Sequence, residues 1–190
     1  AQQLAYCFPG LREIILTGMA AEQGAISALL SALGNLKELT LGSLELSPSP
    51  EDERAIADKG STLKCLELAN SAAIATDALV ERLSLQATGL EHLSLYGSGL
   101  VTDESMRTLS NSPCRLGLVE LDLTFCTMVT FPAVLQLVQS CPRLGSLGSE
   151  WPPEALDKPF PECERADAEH NFAPDEIRQL QDIMRPRRGF

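Results

Sequence analysis

Six leucine ladders recur along this chain at nearly constant spacing, and their period restricts the fold more than any other feature. They read Leu11-x-x-Ile14-x-Leu16, Leu36-x-x-Leu39-x-Leu41, Leu63-x-x-Leu66-x-Leu68, Leu90-x-x-Leu93-x-Leu95, Leu118-x-x-Leu121-x-Leu123 and Leu144-x-x-Leu147. Successive ladders begin 25, 27, 27, 28 and 26 residues apart. A unit of that length has room for one short strand and one helix. Neither can bury its apolar face alone, so neighbouring units must stack. The expected fold is therefore an α/β solenoid with one parallel sheet and one layer of helices.

The segments after the ladders carry the helices. Ile26, Leu29, Leu30 and Leu33 recur at i, i+3, i+4 and i+7, a single buried stripe, and Gly34 is expected to end that helix. In the second unit Ser47-Pro48-Ser49-Pro50 precedes Glu51-Asp52-Glu53, a loop followed by a helix start with acids in its first turn. Thr76-Asp77 and Thr102-Asp103 stand where helix caps belong. The sixth ladder decays: Ser149 replaces its last leucine and Trp151-Pro152-Pro153 follows. Trp151 is expected to cover the end of the core, or else to anchor a partner.

Composition narrows the function. With a net charge of −11 and no basic stripe in the repeats, the chain lacks the cationic surface that nucleic-acid binding requires. No apolar run approaches the roughly 18 residues of a membrane span, so direct insertion is not expected. Cys7, Cys114 and Cys141 each stand just before a ladder, and a place repeated by the units is read as a small buried core residue. Cysteines kept reduced favour the cytoplasm, nucleus or an organelle matrix over secretion.

The ends divide the chain into residues 1–151, five full units and a degenerate sixth; 152–173, an extended strap or loop; and 174–190, a capping helix and basic tail. The final helix opens at Pro174 and carries Ile177, Leu180, Ile183 and Met184 on one stripe. The stretch Leu4–Leu11 mirrors Leu137–Leu144 with one residue inserted, so the chain begins in mid-repeat, and earlier repeats or another domain are expected upstream.

The units resemble the cysteine-containing leucine-rich repeats found in many F-box proteins, whose unit reads roughly C-P-x-L-x-x-L-x-L-x-x-C-x-x-I-T-D-x-x-L. Cys141-Pro142-Arg143-Leu144 matches its opening, Leu118 through Cys126 its middle, and Val101-Thr102-Asp103-Glu104-Ser105-Met106 its end. The ladder cysteine is kept only at Cys126 and becomes Met19, Leu44, Ser71 and Ser98 in earlier units. This resemblance covers the chain to about residue 150. It implies a right-handed arc with the sheet on its concave face and the helices on its convex face. It also implies protein recognition, as an interaction module or structural subunit of a larger assembly. The alternative it implies is substrate recognition for a cullin-type ubiquitin ligase.

Period-two alternation then identifies the residues on the open face of the sheet. Among them are Glu13, Glu38, Glu67, His92, Ser94, Tyr96, Glu120, Asp122 and Glu150. Six are carboxylates, and none of the outward positions holds lysine or arginine. Such a face is expected to receive a basic segment of a protein partner, with Tyr96 and His92 at its centre. Solvated strand positions in an acidic protein would give the same pattern. The C-terminal Arg185, Arg187 and Arg188 are a competing basic group, one within the chain itself, for this face.

Chemistry has little basis in the sequence. The two histidines, His92 and His170, are far apart, and no nucleophile-elbow or phosphate-loop pattern is present. A Cys65–His92 pair on neighbouring strands is conceivable, but an open sheet supplies neither an orienting third group nor exclusion of water. Neither a catalytic residue nor a cofactor is expected, and no closed set of metal ligands is evident.

Overall fold

The computed structural model describes residues 7–8, 10–46, 49–71, 73–149 and 170–182. Strands and helices alternate: β1 Glu13–Thr17, β2 Ala20–Ala21, α1 Ala25–Ser31, β3 Glu38–Gly42, β4 Glu45–Leu46, α2 Pro50–Lys59, β5 Cys65–Glu67 and α3 Asp77–Gln86. They continue as β6 His92–Ser94, α4 Asp103–Asn111, a 3-10 turn Pro113–Leu116, β7 Glu120–Asp122, α5 Phe131–Ser140, β8 Ser146–Ser149, β9 His170–Phe172 and α6 Pro174–Asp182. The protein is thus mixed α/β with a mostly parallel sheet in the order β1-β3-β5-β6-β7-β8-β9.

The ladders set the register. Ile14, Leu39, Leu66, Leu93, Leu121 and Leu147 are partners across successive strands, so one leucine rung crosses the whole parallel sheet. Each helix packs on the next, from α1 through α6. Rung and helix stripes meet in a single core that runs from Ile14 to Leu180.

Two local devices repeat with the ladders. The seventh residue after each of the first five ladder starts has positive φ: Gly18 (63°), Ser43 (49°), Asn70 (51°), Gly97 (69°) and Phe125 (59°). It turns the chain out of the strand, and a bulky aromatic side chain is a costly occupant of that conformation. The next residue is exposed in the first unit, Met19, but buried in the other four, where Ser71 Oγ donates to the Leu41 carbonyl at 2.8 Å and Cys126 Sγ to the Leu95 carbonyl at 3.0 Å. Ser98 occupies the same place but, among the described residues, its buried hydroxyl has no hydrogen-bond partner. Replacing it should therefore stabilise the fold. Ser98→Ala is expected to raise the unfolding free energy by about 1 kcal/mol, read by urea denaturation; a loss instead would mean the hydroxyl is bonded in solution.

The helix caps hold and extend what the sequence suggests. Thr76 Oγ1 accepts from Leu79 N at 3.1 Å, and Thr102 Oγ1 from Glu104 N at 3.2 Å. The aspartates beside them have a second task, tying one helix start to the next. Asp77 accepts from Thr102 N at 2.9 Å, Thr102 Oγ1 at 2.7 Å and the Ser105 hydroxyl. Asp103 accepts from Thr130 N at 2.7 Å and Thr130 Oγ1 at 2.8 Å. Buried Asp52 reaches back to Gly24 N at 2.9 Å and Ser27 N at 2.7 Å, capping α1, whose own N-cap is a glycine. Burial pushes the Asp77 carboxyl upward, but the Ser105 and Thr102 hydrogen bonds outweigh it and hold the group below its ordinary range.

Several expectations are corrected. The helix expected to run to Gly34 stops at Ser31, because Ala32 N and Leu33 N already bond to carbonyls three residues back. Leu33 is still buried, outside the helix. Cys114 and Cys141 are buried, but Cys7 is exposed, and all five described cysteines are free. The stretch read as the end of a strap contains β9, which pairs antiparallel with β8 and seats Phe172 opposite Leu147. Helix α6 then lays Ile177 and Leu180 on the core, while Ala173 N donates to Glu176 Oε2 at 2.7 Å, one half of a capping box. Trp151, Ile183, Met184 and the C-terminal arginines lie outside the described residues.

Candidate functional site

Strand register assembles the open face of the sheet from residues that are 25 to 28 positions apart in the chain. One row reads Glu13, Glu38, Cys65, His92, Glu120 and Ser146, and the next reads Ile15, Thr40, Glu67, Ser94, Asp122 and Gly148. Glu13, Glu38, Glu67 and Glu120 are exposed; His92, Ser94, Tyr96 and Asp122 are half-buried; Glu150 lies outside the described residues. Eight of the nine predicted positions are therefore brought to one surface.

Their hydrogen bonds run across strands. His92 Nδ1 is 2.9 Å from Glu120 Oε2, and Thr40 Oγ1 donates to Glu67 Oε2 at 3.1 Å. Ser94 Oγ donates to Asp122 Oδ2 at 3.3 Å, and Thr124 N to Asp122 Oδ1 at 3.0 Å. Asp122 is also crowded, since a Cβ at Gly148 would lie 2.5 Å from its Oδ1. Asp122 is thus a structural acceptor as much as an outward charge. Gly42, Thr124 and Gly148, expected to face outward, are buried.

Between β5, β6 and β7 the face sinks into a depression of about 390 Å³. Glu67, Glu120 and Asp122 supply its charge, and Cys65, His92 and Tyr96 line it with them. Tyr96 stands edge-on to Phe125, with ring centroids 5.3 Å apart and planes at 89°. The chain matches no family model and no curated protein.

Cys65 reports the electrostatics of this surface. Burial, then the negative charges of Glu67, Glu38, Glu120 and Glu13, push its thiol up to about 11. Nucleophilic cysteines need the opposite shift. Nor does Cys65 bond to His92: its Sγ lies 4.0 Å from Glu67 Oε1, and His92 turns to Glu120. In a background with Cys7→Ser and Cys163→Ser, Glu67→Lys with Glu120→Lys should lower the Cys65 pKa towards its ordinary 9.0, read from the pH dependence of thiol alkylation. An unchanged titration would mean that burial alone sets it.

Cations stand just outside the face. Arg12, Lys37 and Lys64 occupy the residue before β1, β3 and β5, and Lys64 Nζ is paired with Glu91 at 2.7 Å. The negative region is therefore concentrated around β5 to β7. Sequence periodicity misses this border, although the lysines and the arginine recur at one place in the unit. It also misses Phe125, which the seventh-position rule would have placed at the rim. Among the described residues no group of three or more His, Cys, Asp or Glu is arranged to hold a metal, and no helix is long and apolar enough to cross a membrane.

Proposed function

We propose that this chain is a leucine-rich repeat protein that works by non-catalytic recognition, receiving a basic segment of a protein partner on the open face of its sheet. It acts as an interaction module or as a subunit of a larger assembly. The repeat reading is supported by strands that pair in chain order and by a left-handed residue at the seventh position of five ladders. The observation that carries the binding reading is the alignment of five described carboxylates, from β1, β3, β5 and β7, on a surface whose outward positions include no lysine or arginine. Their mutual repulsion is relieved when a cationic segment lies along them, and complementary charge speeds encounter and fixes register.

The test is a fluorescence-anisotropy titration of a lysine-rich peptide and its glutamate counterpart. Only the lysine peptide should bind, and binding should weaken steeply as salt shrinks the screening length from about 10 Å at 0.1 M to about 3 Å at 1 M. Absence of binding at low salt would remove this face as a cation receptor.

A further inference from the structure

The loops that leave β6 and β7 expose large apolar side chains. Leu100 is 54 % exposed, Met128 57 % and Phe125 40 %. Leu100 and Met128 hold the same place in their units, two residues before the helix-capping Thr102 and Thr130. Phe125 is tied to the depression through its edge-on contact with Tyr96, which is itself a wall of that depression. Two aromatic groups thus stand beside three carboxylates.

Phe125 is the informative member. At this place other units carry glycine, serine or asparagine, residues that tolerate positive φ, whereas a phenylalanine there is sterically costly. Its ring is not taken up by the core, so burial does not explain the choice. Apolar groups at the centre of a contact, sheltered by neighbours from water, are what make a binding hot spot.

The geometry points to a ledge of Tyr96 and Phe125 that takes a large apolar side chain of the partner, while adjacent basic residues of the same segment lie over Glu67, Glu120 and Asp122. The occupant is a basic–apolar peptide segment, in which lysine or arginine alternates with leucine or phenylalanine. Charge complementarity sets that choice: an all-apolar segment would leave the carboxylates buried and unpaired, and an all-basic one would leave the ledge in water. This inference rests on the acidic face being the binding surface.

Two peptides of equal length and charge separate the two ideas, one with lysines spaced by alanine and one with leucine and phenylalanine in place of the alanines. The wild-type chain should bind the apolar version about tenfold more tightly. Phe125→Gly should erase that preference and leave the alanine peptide unaffected. Because Gly18 and Gly97 hold the equivalent place, Phe125→Gly should not lower Tm. Equal binding of both peptides to wild type would overturn the ledge and leave the acidic-face reading standing. A fall in Tm with the preference intact would make Phe125 a structural residue and overturn it too. If neither peptide binds, both readings fall. Self-association of wild type that Phe125→Gly abolishes, with no peptide preference, would assign the ledge to a second copy and overturn the proposal.

Discussion

Replacing Glu67 and Glu120 together by lysine is expected to weaken capture of a lysine-rich peptide by about 100-fold at low salt. Both side chains are exposed and both line the depression between β5 and β7. The exchange removes two negative charges and adds two positive ones on a face with five described carboxylates. A 100-fold loss corresponds to roughly 3 kcal/mol, within the range measured for close charge pairs at interfaces. Asp122 is the wrong residue to reverse, although the sequence alone places it beside Glu120. It accepts from Thr124 N and Ser94 Oγ in a crowded setting, so a lysine there would disturb the strand end. Unfolding curves should be nearly unchanged in the Glu67, Glu120 double variant, because the side-chain hydrogen bonds it breaks, His92 with Glu120 and Thr40 with Glu67, are exposed and contribute little. Unaltered peptide affinity would mean that the partner does not use this face.

Phe172→Ala is expected to cost about 3–5 kcal/mol, a large share of the 5–15 kcal/mol typical of a whole domain. Phe172 is only 2 % exposed and lies across from Leu147 at the end of the leucine rung. Strand β9 and helix α6 cover the last parallel strand, and α6 is also held by Gln181 Nε2 donating to the Cys141 carbonyl at 2.9 Å. Because each element packs mainly on its neighbours, the loss should be felt first in β8, α5 and α6. Amide exchange should accelerate there while the protection of β3 and β5 is kept. Uniform acceleration through all strands would show instead that the chain unfolds as one unit and that the damage is not local.

These two variants lie on either side of what could be read before any coordinates. The alternation of leucine with polar residues places Glu13, Glu38, Glu67, His92, Ser94 and Glu120 on the open side of a parallel sheet, and the structure brings them there. That much is local information: in a strand, side chains two residues apart share a face whatever the rest of the chain does. The helix caps Thr76 and Thr102 are legible for the same reason, since a cap and the backbone N–H that donates to it lie within one turn.

The length of the repeat and the inward residues of each ladder were therefore determined by the sequence, and with them the rung from Ile14 to Leu147. Only the tertiary structure decided what crosses from one unit to the next. The carboxylate of Asp77 serves Thr102, that of Asp103 serves Thr130, and that of Asp52 serves Gly24, partners 25 to 28 residues away that become neighbours through stacking. The reversal of direction at β9, the left-handed turn forced on Phe125 and the confinement of Asp122 belong to the same class. Periodicity fixes which face a side chain takes within its own unit, but the distance to its counterpart depends on how closely the units pack, and packing is a property of the assembled core.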